Sequence, residues 1–187
     1  DVFKRRLNCK RIPVVEGNAH GTADLSKIKN RKDGPKKQAF RLLVWGSPLD
    51  DLAIIDMIES CGANVVIDDT CVGTRFYWAD VESTPDPLAG LARRYLVEVR
   101  CPRTFRETGA SYWADLENRF AYIKDFAREW NVSGVIIQSM KYCDTHGYEV
   151  PGLKDYLESM GIPALYLEHE YTMVALAPLR TRVEAFL

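Results

Sequence analysis

Short runs of apolar residues alternate with helical patterns from Phe40 to the end of the chain. Four of these runs have the length and the continuous apolar character of strands that are buried on both faces. They cover residues 41–46, 64–68, 134–139 and 164–168. Helical patterns connect the first run to the second and the third to the fourth, so we predict parallel strands with right-handed crossovers.

Apolar residues at spacings of three and four predict the helices between the strands. The clearest stripe predicts one long helix whose buried face is formed by Trp113, Leu116, Phe120, Ile123, Ala127 and Trp130. Further helices are predicted over about 49–61, over 150–160 and from Leu176 onwards, the first two ending at glycines. This alternation predicts an α/β fold with a doubly wound, mostly parallel sheet and helices on both faces, a Rossmann-like architecture.

The first 39 residues differ in character from the rest of the chain. Residues 26–37 include six lysines or arginines and almost no apolar side chains, which is typical of a solvated linker or an exposed loop. We therefore predict a basic extension over 1–39 and α/β structure over 40–187. Two prolines interrupt residues 83–88 and bar a regular element there, so a boundary between two lobes is predicted in this segment.

The amino-acid composition and the net charge exclude several classes of protein. The chain has 187 residues, of which 47% are hydrophobic and 27% charged, so a disordered or fibrous chain is excluded. Its 25 basic and 26 acidic residues give a net charge of -1, which offers no electrostatic case for a nucleic-acid partner. No apolar run reaches the ~18 residues that cross a bilayer, so no membrane partner is expected.

The cysteines indicate a reducing compartment. They lie far apart, at Cys9, Cys61, Cys71, Cys101 and Cys143. No Cys-x-x-Cys pair occurs, which argues against a zinc ribbon or a ferredoxin-type cluster loop. Their odd number and the lack of a secretory signal predict reduced thiols in a cytoplasmic protein. Because the chain begins with Asp1 and not Met, we expect a fragment or a processed product.

Polar and sulfur-bearing residues follow the predicted strands. The segments concerned are 46–48, Asp68–Arg75, Met140–Gly147 and Glu168–Tyr171. Ligands bind outside the carboxyl ends of parallel strands, so these segments predict the functional edge of the sheet. The glycine motifs of dinucleotide sites, P-loops and nucleophile elbows are all missing from the sequence.

Cys143 is the most informative residue of this edge. It follows a buried strand and precedes a helical segment, where backbone dipoles favour the thiolate needed for metal ligation or nucleophilic attack. Cys143 could be a metal or cluster ligand, a nucleophile or a capped loop cysteine. The same three roles are considered for Cys71, for which the sequence evidence is weaker. His146 and His169 are possible bases, although histidines in exposed loops usually have no catalytic role. No catalytic residue is assigned.

Several segments together match a known family. The likeness rests on Asp68–Arg75, on Lys141–Asp144 continuing through Gly147–Pro151, on the turn and strand from Gly161 to Glu168, and on Leu179–Leu187. These segments resemble the C-terminal part of subunits in the 2-hydroxyacyl-CoA dehydratase and benzoyl-CoA reductase family. The resemblance covers roughly residues 40–187.

The resemblance implies oxygen-sensitive radical chemistry on a CoA thioester. Family members pair two related subunits, each with a [4Fe–4S] cluster held by three cysteines, and a separate ATP-hydrolysing iron–sulfur activator injects the electron. By position, Cys143 matches the cluster ligand of the C-terminal domain. The resemblance places the other two ligands in an N-terminal cluster-binding domain that this chain lacks, so the fragment alone is expected to be inactive. Cys71 is a weak further ligand candidate, and Cys101 has no assigned role.

The resemblance also predicts substrate contacts and a reaction. Phosphate groups of CoA are expected near Lys36, Lys37 and Arg75, because cationic side chains bind them best. The acyl group is expected to face the aromatic run 76–78. The segment 70–78 looks closer to benzoyl-CoA reductase subunits, which favours ring reduction. The alternatives are a 2-hydroxyacyl-CoA dehydratase subunit, a cluster-binding electron-transfer relative and a non-catalytic α/β module.

Overall fold

The structure is a computed structural model and describes residues 36–49, 51–77, 80–102, 104–170 and 176–187. Most of the predicted basic extension, residues 1–35, lies outside these ranges. The segment Phe40–Leu187 forms one compact unit. None of the helices in the described ranges is long and apolar enough to cross a membrane.

Four parallel strands form the central sheet, as the sequence predicts. They are β1 (Phe40–Gly46), β2 (Ala63–Thr70), β3 (Gly134–Met140) and β4 (Ala164–His169), in the spatial order β2-β1-β3-β4. Every neighbouring pair is parallel, which confirms the doubly wound α/β fold. The chain moves outward in one direction from β1 to β2 and then in the other to β3 and β4. The switch point therefore lies between the carboxyl ends of β1 and β3.

The helices follow the predicted order, with additional short elements. In chain order they are α1 (Ala53–Ser60), α2 (Thr74–Tyr77), α3 (Pro87–Arg93), α4 (Tyr112–Glu129), α5 (Asp144–Gly147), α6 (Glu149–Ser159) and α7 (Leu176–Phe186). A π-helical turn, Arg94–Glu98, extends α3. The predicted lobe boundary near 83–88 stays a prediction. Residues 80–86 have neither helix nor strand, and Asp86 caps α3 by accepting the Leu88 N–H at 3.0 Å.

Alternate side chains of the strands enter two different layers. Leu43 and Trp45 pack with α4 and α6 in the main core, where Phe120, Ile123 and Leu153 are buried. Leu42, whose side chain has the opposite direction in the strand, lies beside Gly134 together with Phe186 of α7. Both faces of the sheet are covered, which explains why the strand sequences are almost continuously apolar.

The predicted stripe of the long helix is wrong at its first position. Trp113 is 54% exposed and contacts the ring of Tyr112 edge-on at 5.5 Å. Ser111 starts α4 by accepting the Ala114 N–H, so Trp113 lies in the first turn, one turn before the buried residues begin at Leu116. The apolar spacing extends into the first turn of α4, but the hydrophobic core begins only at Leu116, so the spacing alone could not predict that Trp113 is exposed.

Candidate functional site

The carboxyl ends of β1 and β3 are joined by a polar seam, which we define as Ser47, Gln138 and His169. The Gln138 Nε2 group donates to the Ser47 carbonyl at 2.6 Å, and the Ser47 hydroxyl donates to Gln138 Oε1 at 3.1 Å. His169 at the end of β4 lies 2.7 Å from the same Oε1 through its Nε2. All three side chains are buried. His169, expected in an exposed loop, is therefore a buried member of the sheet edge.

Asp68 holds the loop that follows β2. Its carboxylate accepts hydrogen bonds from the Thr70 hydroxyl, the Thr74 hydroxyl and the Thr74 backbone N–H, each at 3.0 Å. A Cβ atom on Gly73 would lie 1.5 Å from Asp68 Oδ2, so this close turn requires glycine. Asp68 thus organises the loop, and its oxygens face inward to these donors.

Asp69 and Arg75 form an ion pair inside the protein. Arg75 Nε donates to Asp69 Oδ1 at 3.1 Å and Nη2 to Oδ2 at 3.0 Å, while the two side chains are only 1–2% exposed. The Tyr122 hydroxyl donates to Asp69 Oδ2 at 2.8 Å, and the guanidinium lies 5.4 Å from the Trp45 ring centre. A buried charge pair is stable only with good geometry and with further hydrogen bonds to its remaining polar atoms. The bidentate contact between Arg75 and Asp69 and the Tyr122 hydroxyl meet both conditions.

The surroundings shift the pKa values of two members of this group. Burial by itself lowers the pKa of Arg75, but the charge and hydrogen bonds of Asp69 more than offset it, so the net shift is upward. Burial raises the pKa of Tyr122 well above its usual value, and the charge of Asp69 adds to the increase. Arg75 is therefore charged and Tyr122 neutral throughout the physiological range.

Cys143 lies between an open cavity and a buried histidine. The cavity has a volume of about 450 Å³ and is lined by Met140, Lys141, Tyr142, Cys143 and Glu170. On the inner side, Cys143 Sγ lies 3.2 Å from Nδ1 of His146, which is 3% exposed. Helix α5 after Cys143 has only four residues, so its dipole is much weaker than the sequence led us to expect. The polar neighbour of the sulfur is the imidazole ring.

Cys71 approaches the same imidazole ring from the β2 side. Its Sγ lies 3.8 Å from His146 Nε2 and accepts from Arg75 Nη1 at 3.5 Å. Burial raises the pKa of the Cys71 thiol, and the Arg75 charge offsets this only in part. Cys71 is therefore a protonated thiol at neutral pH. Cys101 lies further along the chain, in the wall of a small cavity that also includes Trp45 and Tyr122.

Among the described cysteines, Cys143 is the one that lines the open cavity. No group of three or more His, Cys, Asp or Glu side chains within the described ranges could hold a metal ion. The sulfur of Cys143 is a suitable soft ligand, and the cavity beside it leaves room for a bound group. A [4Fe–4S] cluster therefore fits here only if other parts of the protein complete its ligands.

The other predicted contacts lie in different environments. Arg75 is buried and ion-paired, so its guanidinium faces Asp69 and not solvent. Lys36 and Lys37 are exposed and precede β1. Phe76 is exposed, whereas Trp78 of the predicted acyl-facing run lies outside the described residues.

Sequence reasoning missed the partners that surround these residues. Tyr122, Trp45 and the Asp69–Arg75 pair were not assigned to the site. The only signal for the pair was a carboxylate and an arginine six residues apart around a tight turn, which does not reveal burial. His146 was noted as a possible base, but its contacts to Cys71 and Arg75 span more than 70 residues.

Known proteins with similar sequences are named as subunits of dehydratases or of a reductase. The (R)-phenyllactyl-CoA dehydratase beta subunit of Clostridium sporogenes is 26% identical over 146 residues, covering 78% of this chain and 37% of the relative. The putative dehydratase subunit YjiM of Escherichia coli (strain K12) is 27% identical over 150 residues, covering 79% and 37%. A benzoyl-CoA reductase subunit of Thauera aromatica is 25% identical over 177 residues, covering 94% and 44%.

The chain spans less than half the length of these relatives. A family model described as 2-hydroxyglutaryl-CoA dehydratase, D-component, matches residues 14–187. That match covers nearly the whole chain and confirms the resemblance seen in the sequence. The protein therefore belongs to the 2-hydroxyglutaryl-CoA dehydratase D-component family.

Proposed function

We propose that this chain is part of an iron–sulfur enzyme subunit that reduces a CoA thioester by one electron after ATP-driven activation. The observation that carries the proposal is the placement of Cys143. Cys143 follows β3 at the switch point of the sheet and lines an open cavity of about 450 Å³. Switch points of parallel sheets are where such folds bind their ligands.

In this proposal Cys143 supplies one thiolate ligand to a [4Fe–4S] cluster, and the remaining protein supplies the others. The bound cluster would deliver a single electron to the thioester. The residues of this chain would hold one side of the cluster and keep water away from its inner face. His146, which is buried next to Cys143, and Trp45, which contacts the His146 ring edge-on at 5.2 Å, would serve that second purpose.

We propose the substrate contacts from charge and exposure. Lys36 and Lys37 are exposed cations and stay our proposed contacts for CoA phosphates. Arg75 was proposed from the sequence with them, but its ion pair with Asp69 favours a different role. An arginine already neutralised by a buried carboxylate has little attraction left for a phosphate.

Ring reduction of an aromatic CoA ester is the reaction that we favour from the likeness of residues 70–78. Dehydration of a 2-hydroxyacyl-CoA ester is the alternative, and two of the three relatives named above are called dehydratase subunits. A homologous second subunit and an ATP-hydrolysing activator complete the proposed system. A non-catalytic module with the same fold is the outcome if neither iron nor CoA esters bind.

The first prediction concerns iron. Cys143→Ser in the full-length protein, prepared without oxygen, is expected to lose cluster iron and the associated visible absorbance, since an alkoxide is a poor ligand for iron in these clusters. Iron and sulfide assays measure the loss. Cys61→Ser is the matched control, because Cys61 ends α1 and donates only to the Met57 carbonyl. Full iron content in Cys143→Ser would remove Cys143 from the ligands.

The second prediction concerns the substrate. The full-length protein with its partner subunit is expected to bind a CoA ester at least tenfold more tightly than the free acid, because the remote nucleotide supplies binding energy that positions the thioester. Isothermal titration with benzoyl-CoA, a 2-hydroxyacyl-CoA and both free acids measures the difference. Equal affinities for ester and acid would contradict the CoA assignment. A preference between the two esters separates ring reduction from dehydration.

A further inference from the structure

The imidazole ring of His146 connects two loops that are far apart in sequence. Its Nδ1 atom lies 3.2 Å from Cys143 Sγ in the loop after β3. Its Nε2 atom lies 3.2 Å from Arg75 Nη1 and 3.8 Å from Cys71 Sγ, both of which follow β2. The ring is buried at 3% exposure, so solvent does not supply alternative partners.

The neighbours of the ring determine which nitrogen carries the proton. A guanidinium group has only donors, so Arg75 Nη1 can contact Nε2 favourably only if Nε2 accepts. The Cys71 sulfur, 3.8 Å from Nε2 on the same side, is compatible with an accepting nitrogen because a thiol can donate. A neutral ring that accepts at Nε2 has its proton on Nδ1. A doubly protonated ring would place a second positive charge against the guanidinium, which Coulomb repulsion disfavours.

Arg75 cannot turn away from this contact without breaking the ion pair behind it. Asp69 binds Arg75 Nε and Nη2 through both carboxylate oxygens, and the Asp69 carbonyl accepts from Nη2 at 2.6 Å. Tyr122 in turn fixes Asp69 by donating to Oδ2. The Nη1 group is therefore held facing the histidine by a buried and rigid set of bonds.

We propose that His146 is a positioning residue that donates its Nδ1–H group to the sulfur of Cys143, and that Asp69 and Arg75 fix this tautomer. The hydrogen bond itself concerns this chain alone. Its consequence for a cluster rests on the proposed function: a donor to a ligand sulfur withdraws electron density and raises the reduction potential of the cluster. His146 would then help set the energy of the transferred electron without touching the substrate.

The tautomer can be measured on the 187-residue chain without any cluster. Two-bond ¹H–¹⁵N correlation spectra of ¹⁵N-histidine-labelled protein distinguish Nδ1–H from Nε2–H rings. The signals that disappear in His146→Asn identify His146 among the three histidines of the chain. We expect the neutral Nδ1–H pattern. An Nε2–H or doubly protonated pattern would overturn the proposal.

The effect on the cluster is measured in the anaerobic full-length enzyme by a potentiometric titration followed by electron paramagnetic resonance. His146→Leu removes the donor and is expected to shift the midpoint potential to more negative values. His146→Asn keeps an amide N–H near the Nδ1 position and is expected to return the potential towards that of the wild type. Equal potentials in all three proteins would overturn the tuning role even if activity falls.

The iron assay and the histidine spectra distinguish failure of the proposed function from failure of this inference. If Cys143→Ser retains iron while the spectra show an Nδ1–H ring, the ligand assignment fails and the hydrogen bond stands. If Cys143 binds iron but the ring carries its proton on Nε2, the proposed function stands and this inference fails.

Discussion

Replacing Arg75 by methionine is expected to lower the free energy of unfolding by about 3–5 kcal/mol, since it leaves the Asp69 carboxylate buried without its counter-ion. Both side chains are almost completely buried, so solvent screening does not reduce this cost. Urea-induced unfolding followed by tryptophan fluorescence measures the change in midpoint and slope.

A double-mutant cycle identifies the cause. The pair Asp69→Leu with Arg75→Met removes both charges, and we expect it to be more stable than either single variant, because an apolar pair of similar volume leaves no uncompensated charge. Arg180→Met is the surface control. Arg180 pairs with Glu184 on an exposed helix face, and its loss is expected to leave the midpoint nearly unchanged. Strictly additive effects at positions 69 and 75 would contradict the buried-pair interpretation.

Gly46→Ala is expected to prevent stable folding, with a loss of more than about 4 kcal/mol. A Cβ atom at this position would lie 1.7 Å from the backbone oxygen of Gln138, and the φ angle of Gly46 is +147°. Neither strand can move aside, because β1 and β3 pair directly at Gly46 and Gln138. Circular dichroism and the yield of monodisperse protein measure the outcome.

Gly62→Ala separates the cost of the positive φ angle from the cost of the steric clash. Gly62 also has a positive φ angle, +100°, but nothing lies within 4 Å of its added Cβ atom. Its substitution therefore carries the conformational cost alone, about 1–2 kcal/mol. If Gly46→Ala is no more harmful than Gly62→Ala, the close approach of β1 to β3 is not as tight as the structure has it.

The fold was predictable because its determinants are local and periodic. The four strand segments appear in the structure within two residues of their predicted ends, and α4 follows its apolar stripe from Leu116 onwards. The edge that carries Cys71 and Cys143 was predictable too, since it follows from strand direction alone. Within the part of the chain that the structure describes, local patterns failed at helix ends and at short elements, such as Trp113 and the four-residue α5.

The partners within the site were not predictable, because burial and long-range contact leave no periodic signal. Arg75 looks in the sequence like a surface cation suited to phosphate, and its pairing becomes visible only when Asp69 is placed inside the sheet edge. His146 looks like a loop histidine, and its ring contacts depend on how the β2 and β3 loops come together. The family resemblance proposes Cys143 as a cluster ligand, but it carries no information about which side chains lie next to its sulfur.

The polar seam formed by Ser47, Gln138 and His169 has a mechanical consequence. It links β1, β3 and β4 at their carboxyl ends, and the Met140 N–H adds to it by donating to the Ser47 hydroxyl at 2.9 Å. A loop at one strand end can shift outward only by breaking bonds that the neighbouring strands share. This edge is thus stiff before anything binds to it, and a preformed surface loses little conformational entropy on association. A ligand or partner that binds at this edge therefore meets a surface that already has its bound shape.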